Sequence, residues 1–234
     1  MRQIVILSIL LLFFASCRRV TGSGNIIKEK KQVESFTGIS AGSAFEVEVR
    51  IGSPASVEIE ADDNLIKMVN VKVSGNELKI YFKNNYSITD GHLKAFVTVP
   101  DLNYIESSGA ANVTVLDLLK NSDKIKLNAS GAAKIKVEVD APEVKAESSG
   151  AANIELTGKT RDFDADASGA GNIHASGLMS ENANAEASGA GNVHLYASVK
   201  LKANASGAGN IFYKGGAAVE QEASGGGTVN KEDN

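Results

Sequence analysis

The sequence Ser168-Gly169-Ala170-Gly171-Asn172-Ile173 occurs, with small changes, seven times between residues 108 and 229 of this 234-residue chain. The first glycines of the seven copies are Gly109, Gly131, Gly150, Gly169, Gly189, Gly207 and Gly225. They are 18 to 22 residues apart. A nearly fixed period of this length is the signature of a repeat architecture in which each unit stacks only on its neighbours.

Apolar and polar residues alternate on both sides of each glycine motif. One copy follows Phe163-Asp164-Ala165-Asp166-Ala167, and another follows Leu201-Lys202-Ala203-Asn204-Ala205, each with the apolar residues at odd positions. Such alternation is typical of strands with one buried face. We therefore predict an all-β fold: a single-stranded parallel β-helix, or β-solenoid, with about seven short rungs that turn at the glycine motifs.

The glycine motif itself has a structural explanation. A tight corner needs positive φ, which glycine adopts freely and asparagine tolerates better than most residues. Five asparagines follow the glycines at one repeat position and should stack, with their amides hydrogen-bonded from rung to rung. They are Asn112, Asn153, Asn172, Asn192 and Asn210. The many alanines before the motifs predict a thin interior with no room for a cofactor.

The region before the repeats lacks the motif but contains longer alternating segments, such as Phe45–Ile51. Ser74-Gly75-Asn76 predicts a hairpin, and only Asp62–Met68 could form a helical turn. We expect these strands to continue or cap the solenoid, because an uncovered end invites aggregation. The predicted organisation is a signal peptide (1–16), a lipidated cysteine with a linker (17–33), an N-terminal β region (34–104), the repeat solenoid (105–230) and a tail (231–234).

The first residues predict export. Arg2 precedes an apolar run, Ile4–Phe14, which is shorter than the ~20 residues of a membrane span. Phe14-Ala15-Ser16-Cys17 then resembles the lipobox of bacterial lipoproteins, with phenylalanine in place of the usual leucine. Cys17 is the only cysteine, so a lipid on its thiol would protect a group that has no disulfide partner. We therefore expect Cys17 to carry a lipid anchor.

The Ser-Gly-Ala-Gly-Asn-Ile repeats, the segment Phe36-Thr37-Gly38-Ile39 and the lipobox together resemble the head GIN domain family of putative auto-transporter adhesins (DUF2807), common in Bacteroidetes. The resemblance covers residues 34 to 230. It implies a right-handed parallel β-helix on an outer-membrane lipoprotein, and a role in adhesion. It brings no set of functional residues with it, and it leaves the periplasmic and cell-surface faces of the membrane equally open.

Two polar columns are candidates for metal binding. His174 and His194 share a repeat position and could together hold a zinc-like ion, or could form a plain exposed column. Glu147, Asp166 and Glu186 share another position, where stacked carboxylates could bind Ca²⁺ or could simply be screened by solvent. We favour the exposed, solvated alternative for both columns, and we expect no other cofactor.

The sequence also argues against two classes of function, nucleic-acid binding and catalysis. The formal net charge is −4, and no basic patch is interleaved with aromatic residues, so nucleic acid is not an expected partner. No nucleophile triad or phosphate-binding loop is visible, although Glu147 and Asp166 resemble the acid pairs of pectin-cleaving β-helices. We predict a lipid-anchored, non-catalytic adhesin or scaffold that binds a glycan or protein surface. The alternatives are a structural or envelope-stress protein acting through self-association, and a polysaccharide-active enzyme.

Overall fold

The computed structural model describes residues 18–83 and 86–233, and the regular secondary structure of these residues is almost entirely β-strand. The strands before the repeats are β1 (Arg18–Thr21), β2 (Ile26–Lys31), β3 (Gly38–Ala41), β4 (Glu46–Ile51), β5 (Ser56–Asp62), β6 (Val69–Ser74), β7 (Glu77–Phe82), β8 (Tyr86–Thr89) and β9 (Leu93–Val99). A 3₁₀ helix of one turn, Ile66–Met68, lies between β5 and β6. Within the described residues, no helix is long and apolar enough to cross a membrane.

The repeat region contains the longest strands. They are β10 (Tyr104–Ser107), β11 (Asn112–Val115), β12 (Leu119–Lys120), β13 (Lys124–Ala129), β14 (Lys134–Ser148), β15 (Asn153–Ala167), β16 (Asn172–Ala187), β17 (Asn192–Ala205), β18 (Asn210–Lys214), β19 (Ala218–Ala223) and β20 (Thr228–Lys231). Strands β14 to β17 run unbroken from one glycine corner to the next. Each of these turns is therefore formed by one strand of 14 to 16 residues.

Equivalent residues of successive repeats pair in parallel. Asn172 lies beside Asn153, and Ala165 lies between Ala146 and Ala185. Because the chain returns to the same lateral position after each corner, every repeat makes one complete turn. The predicted β-solenoid of about seven stacked turns is confirmed.

The core is a set of narrow columns of apolar side chains. The residue after the corner asparagine is isoleucine or valine, as in Ile154, Ile173 and Val193, and each of these is 0% exposed. Before the corner the column is alanine, as in Ala165 and Ala185. Burial of one branched side chain contributes about 1.5–3 kcal/mol, so stacked rungs stabilise one another through these columns. The alternation of buried apolar and outward polar residues is as predicted.

The first rungs do not stack in sequence order. Strand β3 pairs in parallel with β7 on one side and with β10 on the other, and β4 lies in the same way between β9 and β11. The rung made by β3 and β4 is therefore enclosed between a rung that is formed later, from β7 and β9, and the first glycine-motif rung. The sequence did not predict this order.

Antiparallel strands cover the end of the stack beyond β7 and β9. Strand β6 pairs with β7 through the hairpin at Ser74-Gly75-Asn76, β5 pairs with β9, and β2 pairs with β5. The hairpin and the helical turn lie where the sequence predicted them. The linker expected at residues 17–33 instead contains β1, which pairs with β8, and β2.

A polar clasp explains why this segment is folded. The carboxylate of Asp62 accepts a hydrogen bond from the N–H of Gly24 at 2.7 Å, and Asn64 donates to the carbonyl of Thr21 at 2.8 Å. Asp62 is 2% exposed and also accepts from the N–H of His92 at 2.7 Å. The clasp therefore fixes the chain between β1 and β2 against the capped end.

Candidate functional site: ladders and grooves of the solenoid

The seven motif glycines form the corners of the solenoid, with φ between 66° and 74°. Successive corners stack closely: the N–H of Ala151 donates to the carbonyl of Gly131 at 2.7 Å, and the other rungs repeat this bond. A Cβ atom added to Gly150 would lie 2.8 Å from the Gly131 carbonyl oxygen. Glycine is therefore required both for the backbone conformation and for the spacing between rungs.

The motif asparagines begin the strand that follows each corner. Asn172 donates to Asn153 at 3.2 Å, Asn192 to Asn172 at 3.0 Å, and Asn210 to Asn192 at 3.1 Å. Each of these three amides also donates to the alanine carbonyl two residues before it. The positive φ belongs to the glycines and not to these asparagines. Asn112 lies between Glu46 and Lys134, which have no side-chain amides, so Asn112 is not part of the amide ladder.

An eighth corner, missed in the sequence, belongs to the enclosed rung. Residues 41–46 lie in register with residues 107–112, which places Ser43 beside Gly109. Ser43 has φ 64° without being glycine, and its hydroxyl accepts a hydrogen bond from the N–H of Phe82 at 3.1 Å. Left-handed backbone costs a non-glycine residue roughly 1–2 kcal/mol, which this contact helps to offset. The alternating small residues of Ser40-Ala41-Gly42-Ser43-Ala44 were the available signal.

The structure brings His174 and His194 together as a stack. Their ring centroids are 5.5 Å apart, and His194 in turn stacks on Phe212 at 4.6 Å. Two nitrogens bound to one tetrahedral zinc ion lie about 3.3 Å apart, so the histidine rings would have to rotate out of the stack to share an ion. Glu155, which lies beside His174 in the same column, forms ion pairs with Lys134 and Lys136. The stacked rings cover one another's faces, and Nδ1 of His194 lies 3.3 Å from a carboxylate oxygen of Glu232.

A groove of about 580 Å³ runs beside this stack. Its wall includes Leu116, Lys136, Glu155, His174 and Gly177. Two irregularities create it: the loop after β11 leaves Leu116 44% exposed, and the register between β15 and β16 shifts between Glu155 and Thr157. Register shifts of this kind are frequent next to binding and active sites. The 20-residue interval that follows Gly169, one longer than the interval before it, was the sequence signal for the shift.

The acidic column is assembled as predicted, with Glu147 beside Asp166 and Asp166 beside Glu186. Burial opposes ionisation of Glu147, but ion pairs with Lys145 at 3.0 Å and Lys126 at 3.7 Å outweigh it and lower the pKa of that carboxyl. Burial raises the pKa of Asp166, and the charge of Glu147 raises it further. Neighbouring carboxyls of the column therefore have pKa values shifted in opposite directions.

A second groove, of about 760 Å³, flanks part of this column. It is lined by Asp166, Glu186, Asn204 and Glu222 together with corner serines, and Glu147 is not among its lining residues. Across residues 18–83 and 86–233, no group of three or more histidine, cysteine, aspartate or glutamate side chains is arranged to hold a metal ion. Calcium binding by this column stays the untested alternative to the solvated column that we favour, and Cys17 lies outside the described residues.

The family of the chain follows from its sequence. A model of the family described as putative auto-transporter adhesin, head GIN domain, matches residues 35–217. The chain belongs to this family. A search of curated proteins found no match.

Solved structures share the fold of this head GIN domain protein. A putative adhesin from Bacteroides fragilis is 22% identical with a TM-score of 0.82, and covers 91% of this chain and 100% of its own. A putative adhesin from Parabacteroides merdae is 26% identical with a TM-score of 0.70, covering 92% and 100%. A putative lipid binding protein from Parabacteroides distasonis is 21% identical with a TM-score of 0.76, also covering 92% and 100%.

Proposed function

We propose that this protein is a non-catalytic adhesin of the cell envelope, held on the outer membrane by a lipid on Cys17. We further propose that it binds a protein surface through the groove beside the histidine stack. The observation that carries the proposal is this groove, where the solenoid exposes Leu116 among Lys136, Glu155 and His174. Family membership supports adhesion, and the lipobox supports the anchor.

The chemistry of the groove favours protein over glycan. Sugar rings usually pack on an exposed aromatic face, whereas the faces of His194 are covered by His174 and Phe212. An exposed leucine among opposite charges is better suited to a protein partner, because aliphatic burial supplies affinity and flanking charges fix orientation. A glycan partner is the alternative outcome of the same experiment.

The acidic groove supports the non-catalytic part of the proposal. Its lining residues are carboxylates, serines, alanines and one asparagine, and they include neither a basic nor an aromatic side chain. A polysaccharide-cleaving site would need groups that hold and orient the sugar besides its acids. Glu147, the carboxyl with the lowered pKa, is paired with lysines outside this groove.

The open end of the stack is the observation in favour of self-association. Strands β19 and β20 are largely exposed, so their outer edges are available for pairing. However, pairing two copies of β19 symmetrically about Gln221 would place Glu220 of each copy against Glu222 of the other. Like charges directly opposite in a sheet are destabilising, so we rank self-association second.

The binding proposal is tested with immobilised panels of extracellular matrix proteins, cell-surface proteins and glycans. We expect a protein hit whose affinity falls about tenfold or more in Leu116→Ser, since burial of a leucine contributes about 1.5–3 kcal/mol. Val199→Ser is the matched control, because Val199 is 58% exposed and lies outside the groove. Absence of binding across the panels, or equal loss in both variants, would overturn the proposal.

The anchor is tested separately. Mass spectrometry of the N-terminal peptide from membrane-bound protein should show acyl chains on Cys17. Substitution Cys17→Ser should abolish that modification, and an unmodified Cys17 in the membrane-bound protein would refute the anchor.

A further inference from the structure

The folded body begins directly after the expected anchor. Strand β1 starts at Arg18 and pairs with β8 from Arg18 opposite Tyr86 to Thr21 opposite Thr89. The clasp from Asp62 and Asn64 then holds the next residues against the capped end. A lipid on Cys17 would therefore hold the solenoid by this end, with no free linker between the bilayer and the fold.

The outermost elements of this end are strongly basic. Strands β1, β2 and β6 and the 3₁₀ helix, here called the basic end, carry seven lysines and arginines and one acidic residue, Glu29. One further carboxylate, that of Asp63, is hydrogen-bonded to Ser23 and Asn25 between β1 and β2. Lys28 and Lys31 are engaged in ion pairs. Among the described residues, the remaining five basic side chains have no ion-pair partner: Arg18, Arg19, Lys30, Lys67 and Lys72. This concentration contrasts with the net charge of −4 for the whole chain.

Exposed aliphatic side chains accompany these charges. Ile26 is 50% exposed and Ile27 is 38% exposed, both on β2 next to Lys28 and Lys30. Apolar groups beside lysine and arginine are the combination that binds the interface of an anionic bilayer, since the cations contact headgroups and the apolar groups enter below them. The opposite end of the solenoid is acidic, with Glu220 and Glu222 on β19 followed by Glu232 and Asp233.

We propose that the basic end is a docking surface for an anionic lipid bilayer, and that docking holds the solenoid axis away from the membrane with its acidic end outward. The proposal rests on the lipid anchor of the proposed function, which brings the basic end to the surface. Attraction of this end and repulsion of the other then fix the orientation. An anchor alone would leave the protein free to lie on its side.

The experiment uses the full processed protein, reconstituted into vesicles of phosphatidylcholine with or without phosphatidylglycerol. Single thiols are introduced by Ser74→Cys at the basic end and by Ser224→Cys at the acidic end, and each is labelled with a fluorescent donor. The two labels lie nine strand spacings apart, roughly 40 Å along the axis. We expect strong energy transfer from position 74 to a lipid-borne acceptor and weak transfer from position 224, on anionic vesicles only.

A matched pair of variants tests the chemistry. The test variant combines Ile26→Ser, Lys30→Gln and Lys67→Gln. The control combines Val199→Ser, Lys200→Gln and Lys202→Gln, which likewise removes one exposed aliphatic side chain and two lysines, at exposed positions of β17. Each basic group near an anionic surface strengthens binding about fivefold. Because the test variant lacks two of them, its ratio of upright to side-lying protein should fall at least about 25-fold. The control should keep the preference for the upright state, and high salt should abolish it without any substitution.

Failure of docking and failure of the anchor give different results. Equal transfer from both positions on anionic vesicles, or equal effects of the two triple variants, would overturn the docking surface even with Cys17 acylated. Protein that does not float with pure phosphatidylcholine vesicles, and that takes up label on Cys17, would overturn the anchor. In that case the transfer from positions 74 and 224, measured again on anionic vesicles with Cys17→Ser, still decides whether the basic end binds lipid.

Discussion

Replacement of one corner glycine tests whether the stacking of corners limits the stability of the solenoid. Gly150 has φ 72°, and a Cβ atom there would lie 2.8 Å from the carbonyl oxygen of Gly131 and 3.1 Å from its nitrogen. Both contacts are with backbone of the preceding rung. Gly150→Ala therefore forces two hydrogen-bonded rungs apart.

The expected loss has two parts. Left-handed backbone costs alanine roughly 1–2 kcal/mol. Overpacking against a fixed backbone costs a further 1–3 kcal/mol or so, which gives about 2–5 kcal/mol in total. Gly75 supplies the control, because its φ is 63° but a Cβ atom there would have nothing within 4 Å. Gly75→Ala should therefore cost only the first part.

The measurement is the free energy of unfolding of both variants in urea, together with their melting temperatures. For a chain of this size each kcal/mol lowers the melting temperature by about 2–4 °C. We expect Gly150→Ala to melt clearly below Gly75→Ala. Equal losses in the two variants would show that the close approach between corners contributes nothing, and would refute the argument from stacking.

Three further predictions concern the polar columns. Asn192→Ala removes ladder hydrogen bonds at 3.0 and 3.1 Å and should lower the free energy of unfolding in urea by about 1–3 kcal/mol. Asn112→Ala should lower it less, because Asn112 is not part of the amide ladder. A larger loss in Asn112→Ala would contradict the ladder. The raised pKa of Asp166 means that folding favours its protonated form, so its stabilising contribution is full below the ordinary pKa of 3.8 and is lost as pH rises through the folded value. Asp166→Asn should therefore raise the melting temperature at neutral pH and have no effect in acid. Glu147→Gln replaces a carboxyl with a lowered pKa, so it should lower the melting temperature at neutral pH and lose that effect as pH falls. The same pH profile for both variants would refute the opposite pKa shifts of the two carboxyls. Calcium should leave the melting temperature unchanged, and a rise that is lost when Glu147, Asp166 and Glu186 are all replaced by amides would instead establish a calcium site.

The repeats were predictable because the sequence of each repeat contains the pattern that determines the geometry of its own rung. The period places Gly150 over Gly131, and the alternation around Ala165 separates buried from exposed positions, so the fold and the columns follow from local pattern alone. The stack of His174 on His194 follows in the same way. Such features depend only on contacts between neighbouring rungs, and the same sequence pattern recurs in every rung.

The order of the first rungs could not be predicted in this way. The choice of β3 to lie between β7 and β10 depends on contacts between segments about 40 and 65 residues apart in sequence. The corner at Ser43 lacks the glycine that marks the others, and the groove at Leu116 depends on a loop and a register shift. The anchor on Cys17 remains a prediction, and metal binding by the columns remains an untested alternative.

The direction of the ladder hydrogen bonds determines how this molecule would respond to mechanical load. The bonds between rungs, such as Ala151 to Gly131, run along the solenoid axis. Tension between a fixed basic end and a partner held farther out would therefore load rungs in series and open them one at a time, instead of shearing many bonds together. Each opened rung would release 18 to 22 residues. That length is roughly 60–80 Å of extended chain, so the solenoid would lengthen in steps before it gave way.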